Sequence, residues 1–213
     1  MVSAILLGAG RSRRMGRDKL SLSWGNRTVF EQCLQVLLRS KVDEVIVVRR
    51  GGSKAARDRT GGYPAPYAKK AKFVFNLRAE KGMSTSIQEG IKWIDPKSEG
   101  ILIALGDQPL LKTRTIDALI RAFARGKRSI VVPVCRGERG HPVIFDRIYV
   151  KELLHLKGDE GGKSILGAHP ERVVKVRSAS RGVVADIDTW QGYKKSLKSH
   201  VPSLWLKGKG QEP

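Results

Sequence analysis

The stretch from Val2 to Lys19 constrains the fold more than any other. Val2 to Leu7 is a near-continuous apolar run, broken only by Ser3, the pattern of a strand buried on both faces of a parallel sheet. Gly8, Ala9 and Gly10 end it abruptly; three small residues let the backbone turn tightly and let a ligand approach main-chain N–H groups. Arg11, Arg13, Arg14, Arg17 and Lys19 then gather positive charge at the same place, so a polyphosphate is the natural guest. Two familiar phosphate loops fail on spacing. The Walker pattern needs Gly-Lys-Ser/Thr where Gly16 is followed by Arg17-Asp18, and the dinucleotide pattern needs a small residue where Arg13 stands.

The remaining chain reads as alternating strands and helices. Thr28 and Glu31 have capping-box spacing, and Phe30, Cys33, Leu34, Leu37 and Leu38 recur at helical intervals up to Lys41. Val45 to Val48 then predicts a second buried strand, completing a βαβ unit whose ligand end carries the small-residue loop. Lys72 to Leu77 predicts a further strand. Ile87, Ile91 and Ile94 predict a helix, with Ser86 and Glu89 placed as a second capping box and Met83 as a packing residue. Its first turn would offer N–H groups and the hydroxyls of Ser84 and Ser86 to a nucleoside, with plain capping by Ser86 the equal alternative.

Ile101 to Leu105 predicts a third buried strand running into Gly106-Asp107-Gln108-Pro109. A carboxylate at such a tip costs stability unless it meets a cation. Mg²⁺ suits it, binding through one or two carboxylates and completing its shell with water and substrate phosphate. Capping by Asp107 of the helix carrying Ile116, Leu119, Ile120 and Phe123 is the competing reading, although Thr113 or Thr115 stands nearer that helix start. Ser129 to Val134 predicts a fourth strand and Gly158 to Leu166 a loop opening a short helix; His141, at a strand entry, is more simply held by backbone than by an acceptor. Val173 to Val176 and Val183 to Ile187 predict two last strands, the second placing Asp186 and Asp188 on one face, either able to reach a metal. The expected fold is α/β, a Rossmann-like three-layer sandwich with a mostly parallel central sheet. It forms a single domain over residues 1–200, with a basic, frayed tail from Lys194 and above all over 201–213.

The 41 Lys and Arg against 20 Asp and Glu leave a formal net charge of +21, which implies acidic partners. A nucleic-acid footprint would lie between Arg49 and Lys81, with Tyr63 and Tyr67 as stacking platforms. Aromatic residues are few and no RNA motif occurs, so a solvated basic face is the better reading. Cys33 and Cys135 lack CxxC or metal-ligand spacing, which suits a reduced, intracellular setting. No run reaches membrane-spanning length and no secretory signal opens the chain, so a cytoplasmic protein without a membrane partner is expected.

Taken in order, Leu7-x-Ala9-Gly10-x-Ser12-x-Arg14-Met15-Gly16-x-x-Lys19, Gly82-Met83-Ser84-x-Ser86, Gly106-Asp107-Gln108-Pro109, Gly140-His141-Pro142, Gly158-Asp159-x-Gly161 and Asp186-x-Asp188-Thr189 resemble the molybdenum cofactor cytidylyltransferases. The resemblance implies the nucleotide-sugar transferase type of sheet, CTP or another NTP as co-substrate, and Mg²⁺. It implies transfer of CMP to the phosphate of a molybdopterin-type acceptor with release of pyrophosphate, and an apo-enzyme that receives the finished cofactor as a partner. Ala9-Gly10, where related guanylyltransferases show Ala-Gly-Gly, favours cytidine. On this resemblance Arg14, Lys19 and Asp107 are catalytic; Leu7, Gly8, Ala9, Gly10, Arg11, Lys19, Ser84 and Ser86 bind the nucleotide; and Asp107 and Asp188 hold the metal.

Three positions depart from the family pattern: Gly8 stands for alanine, which loosens the loop; Lys163 stands for arginine, which loses a two-pronged grip; and Trp190-Gln191-Gly192 stands for Pro-Glu-Asp. Guanylyl or other nucleotidyl transfer to a different phosphorylated acceptor is the alternative within this fold. A basic nucleic-acid-binding protein is the alternative outside it.

Overall fold

All seven residues of the first strand, β1 (Val2–Gly8), are buried, as a strand without polar alternation requires. The computed structural model describes residues 1–10, 15–51, 69–126 and 128–200. A small hairpin, β2 (Ser23–Trp24) and β3 (Arg27–Thr28), leads into α1 (Val29–Leu38), β4 (Glu44–Arg50), β5 (Ala71–Asn76), α2 (Met83–Ile91) and β6 (Gly100–Leu105). Then follow α3 (Thr113–Arg125), β7 (Ile130–Cys135), β8 (Glu138–Arg139), β9 (Val143–Asp146), α4 (Val150–His155), α5 (Lys163–Ala168), β10 (Val173–Arg177) and α6 (Trp190–His200).

The main sheet has the order β10-β7-β9-β6-β1-β4-β5, with β8 beside β7. Its neighbours are parallel except where β9 runs against β6 and β7, and β8 against β7. The period-two geometry of β1 sends its side chains into two cores. Ala4 and Leu6 pack with Leu34 of α1 and with Ile116 and Leu119 of α3. Ile5 and Leu7 pack on the opposite face with Ile87 and Ile91 of α2, Leu153 of α4 and Ile165 of α5. The result is the expected three-layer α/β sandwich with a mostly parallel sheet. Among the described residues no helix is long and apolar enough to cross a membrane.

Local signals hold in some places and fail in others. The Thr28–Glu31 capping box forms in both directions, at 2.7 and 3.2 Å. The second box does not form, because α2 begins at Met83 with Gly82 as its cap, which places Ser86 inside the helix. The N–H groups of Met83 and Ser84 are already taken, by Asp159 Oδ1 at 3.1 Å and the Gly158 carbonyl at 3.0 Å, so the first turn needs no side-chain cap and offers neither group to a ligand. Neither Thr113 nor Thr115 caps α3; its cap is Lys112, and the Thr113 hydroxyl donates to the Val36 carbonyl.

Val183 to Ile187 is not a strand. A 3₁₀ turn spans Arg181–Val183, and the following backbone bonds to loops instead of a sheet: His141 N donates to Val183 O at 2.8 Å, and Ile187 N to Asp107 O at 3.0 Å. The chain from Lys194 to His200 is helical rather than frayed, because Tyr193 anchors α6 in a third cluster with Met15, Trp24, Val29 and Ile187. Tyr63, Tyr67 and the tail 201–213 lie outside the described residues.

At the opposite end of the sheet from the small-residue loop, Glu44 is held by buried donors. Its carboxylate accepts from Ser3 Oγ and Asp95 N, both at 2.6 Å, and pairs with Lys72 Nζ at 2.8 Å. Burial pushes its carboxyl up, but Lys72, Ser3 and the Asp95 N–H outweigh it and hold the group below its ordinary 4.5. A depressed carboxyl adds stability that is present in full above 4.5 and lost as pH falls through the lower folded value. Glu44→Gln is therefore expected to cost about 1–3 kcal/mol at neutral pH and to flatten the acid limb of stability; urea midpoints at neutral pH and below 4.5 measure both.

Candidate active site

The chain runs from β1 through α1 to β4 and β5 on one side, then crosses by α2 to β6 on the other. The C-terminal ends of β1 and β6 therefore flank the point where strand order reverses, and open α/β sheets bind ligands there. A hollow of about 430 Å³ opens between them, lined by Leu7, Ala9 and Gly10 of the first loop, Lys19, Ser86 of α2, Asp107 beyond β6, and Asp188. Gly8 and Ser84 do not line it, and Ser84 is only 1% exposed. Arg11 and Arg14 lie outside the described residues.

Glu80, Met83, Asp159 and Asp186 also line the hollow. Asp159 had a signal, the Gly158-Asp159-x-Gly161 motif; Glu80 had none, because a 3₁₀ turn at Ala79–Lys81 brings it there. Gly82, with φ 107°, makes the close approach: a Cβ on it would stand 2.2 Å from the Gly158 carbonyl carbon. Two segments far apart in sequence are thereby welded at the mouth of the hollow.

Lys19 begins a short 3₁₀ turn capped by Asp18, whose carboxylate accepts from Leu20 N at 3.1 Å. Its ammonium donates to Asp107 Oδ2 at 2.6 Å and to Asp188 Oδ1 at 2.7 Å. Burial pulls the ammonium down, but the two carboxylates more than restore it, so it stays charged well beyond neutral pH. Burial pushes the Asp107 carboxyl up, against the pull of Lys19, and the charges of Asp186 and Asp188 push the same way. Gln108 Nε2 donates to Asp186 Oδ1 at 2.6 Å and ties this corner to the 183–188 segment. Trp190, at the start of α6, donates from Nε1 to the Met15 carbonyl, so the segment that departs from the family pattern braces the first loop. Burial drives the Cys33 thiol far up, which makes it inert packing rather than a nucleophile.

Asp107 Oδ1 is buried with no hydrogen-bond partner, a costly arrangement that a cation would relieve. Asp107 and Asp188 converge on the Lys19 ammonium, and both are hard oxygen donors, so they fit Mg²⁺ or a similar ion. Among the described residues no group of three or more His, Cys, Asp and Glu is assembled for a metal.

Phe30 explains the glycine at position 8. A Cβ on Gly8 would stand 2.4 Å from Phe30 Cε2, and one on Gly106 would stand 2.8 Å from Phe30 Cδ2 and from the Leu7 carbonyl. The ring lies under both the first loop and the Asp107 corner, with the Arg49 guanidinium 4.4 Å from its centroid. The loop is thus supported from below rather than loosened. Gly8→Ala is expected to cost about 1–3 kcal/mol by overpacking, and Phe30→Leu in the same chain to recover part of it, as thermal unfolding of the three variants would read.

A mostly parallel sheet with a small-residue loop, a lysine and a carboxylate corner at its reversal point is the equipment of an enzyme that positions a polyphosphate. The chain belongs to the MobA-like NTP transferase domain family, whose model matches residues 4–173, and it is a nucleotidyltransferase. It is similar to the purine catabolism protein PucB of Bacillus subtilis (strain 168), 31% identical over 192 residues that cover 89% of this chain and 92% of that one. It is also similar to the molybdenum cofactor cytidylyltransferase of Escherichia coli (strain K12), 22% identical over 190 residues, 88% and 91% of the two chains. Among solved structures it is similar to the complex of Rv0371C with manganese from Mycobacterium tuberculosis H37Rv, with 26% identity, a TM-score of 0.72, and coverage of 93% and 98%.

Proposed function

We propose that this nucleotidyltransferase moves CMP from CTP to the phosphate of a molybdopterin-type acceptor. An oxygen of the acceptor phosphate attacks the α-phosphorus of CTP in line; the bond from that phosphorus to the β-phosphate oxygen breaks, and pyrophosphate leaves. The observation that carries this reading is the Lys19 ammonium bridging Asp107 and Asp188 inside a hollow roofed by Ala9 and Gly10. Little covalent work is asked of the protein, so positioning and charge stabilisation supply the rate.

In this reading the N–H groups of Ala9, Gly10 and Arg11 cradle phosphate, Arg14 and Lys19 meet the charge that develops on the leaving pyrophosphate, and Leu7 and Ser86, which line the hollow, shape the nucleoside side. Asp107 and Asp188 would hold Mg²⁺, which when bound neutralises phosphate charge; Asp186 is the lesser candidate because Gln108 already occupies its Oδ1. The manganese complex of a similar protein supports a divalent ion in this fold. Ala9-Gly10 supports cytidine. Similarity to a purine catabolism protein supports an apo-enzyme acting on purines as the recipient of the cofactor.

The test is pyrophosphate release with each of the four NTPs and Mg²⁺, with and without molybdopterin. Release that needs both CTP and molybdopterin is expected. Release with GTP in place of CTP would reassign the nucleotide, and silence with every NTP would overturn the reading.

A further inference from the structure

The sheet ends on one side in β10, which pairs with β7 alone among the described residues, so the outward N–H and C=O groups of its alternate residues meet no further strand there. An open groove of about 580 Å³ runs along this edge, between β10 and α3. Its strand wall is Val174, Lys175 and Val176, and its helix wall is Ala118, Arg121, Ala122 and Arg125. Those four helix residues recur at three- and four-residue spacing and form one stripe, while Ile116, Leu119 and Phe123 are buried on another. The two alanines leave room beside the strand. Val174 and Val176 share one face of β10; Val176 packs against the core that holds Ile116 and Leu119, and Val174 is left 37% exposed. Lys175 and Arg177 alternate with them and are exposed, as are Arg121 and Arg125. Among the described residues no acidic side chain lines the groove.

We propose that β10 and α3 form a docking groove for an extended acidic segment of a partner protein, one in which acidic residues alternate with small or branched apolar ones. Such a segment adds a strand to the sheet: its main chain bonds to the open edge, its apolar side chains lie beside Val174 and Val176, and its acidic ones beside Lys175 and Arg177. Arg121 and Arg125 give the helix wall the same sign, so the whole groove selects for negative charge. Two other occupants fit less well. A second copy of this chain would set one cationic edge against another, with a formal net charge of +21 on each copy, and like charges directly opposite are destabilising. A nucleic acid answers the cations, but its phosphates only accept hydrogen bonds and leave the outward carbonyls of β10 without donors. The inference goes beyond the transferase reading and does not depend on it, because β7 and β9 separate β10 from β6 and the Asp107 corner.

The experiment follows the fluorescence anisotropy of a labelled peptide of alternating glutamate and valine, about as long as β10, with the full chain and with the variant Arg121→Glu/Lys175→Glu. Both positions are exposed, a melting curve checks that the variant folds, and Arg121→Gln/Lys175→Gln is the milder pair. Wild type is expected to bind the peptide, and the charge-reversed variant to bind it about tenfold or more weakly, since attractive contacts become like-charge ones. Two further peptides, N-methylated at odd or at even residues, separate strand pairing from charge. Only alternate N–H groups of an added strand face the sheet, so at least one of the two is expected to lose binding. No binding by wild type, equal binding by the charge-reversed variant, or full binding of both N-methylated peptides would each overturn the groove. Wild-type dimers in sedimentation that the same variant abolishes would give the edge to a second copy. A single-stranded oligonucleotide that binds in a manner sensitive to Arg121 and Lys175, with the peptide unbound, would give it to nucleic acid; either result overturns the proposal.

Discussion

Lys19→Ala is expected to lower kcat for pyrophosphate release by roughly 10²- to 10³-fold, the usual scale for removing one preorganised donor from a developing charge. Two observations make Lys19 the side chain where so large an effect is expected. Its side chain is only 17% exposed, where an electrostatic contact is worth more than on a surface, and its ammonium is already aimed by two carboxylates at 2.6 and 2.7 Å. A triphosphate entering beneath Ala9 and Gly10 meets a cation whose orientation has been settled beforehand. The loss should fall mainly on kcat, with a smaller change in KM, because charge builds on the pyrophosphate only as the bond breaks. The variant also leaves Asp107 without its ammonium, so a lower melting temperature is expected beside the kinetic loss. Steady-state kinetics with CTP and a melting curve separate the two, and a folded variant with unchanged kcat would remove Lys19 from the reaction.

Those parts of the molecule whose determinants are local were visible in the chain. Val2 to Leu7 could be nothing but a doubly buried strand, and Thr28 with Glu31 could form their box from three residues' separation alone. The Asp107 corner followed from a carboxylate placed at the end of an apolar run. Long-range hydrogen bonding decided the rest. Val183 to Ile187 has strand composition, yet its backbone partners are His141 and Asp107, which belong to loops, and no pattern within five residues reports that. The box at Ser86 failed for the same reason, since Asp159 and Gly158, some 75 residues away, had satisfied the helix start. Asp186 and Asp188 still reach the hollow, but through irregular backbone instead of strand alternation. Gly8 was misleading read singly and makes sense with Phe30, a residue of the next helix.

Asp107→Asn should reduce turnover at least as far as loss of Lys19, by roughly 10²- to 10³-fold or more, while leaving the fold as stable as wild type or nearly so. The two halves of this expectation come from the same atoms. Asparagine keeps the shape and can still accept from Lys19, so packing at the tip of β6 is preserved. The buried Oδ1 has no hydrogen bond to lose, and removing a buried charge whose burial already pushes its carboxyl up relieves a cost in the folded state. The divalent ion loses its charged anchor, and Mn²⁺ affinity measured by calorimetry without nucleotide should fall by more than the roughly 10- to 100-fold typical of losing an outer-shell partner. Asp188→Asn should weaken Mn²⁺ less, because that side chain is 47% exposed, and Asp186→Asn least, because its Oδ1 is committed to Gln108. An Asp107→Asn protein that holds Mn²⁺ as tightly as wild type and releases pyrophosphate at the same rate would move the metal, and with it the chemistry, away from the β6 corner.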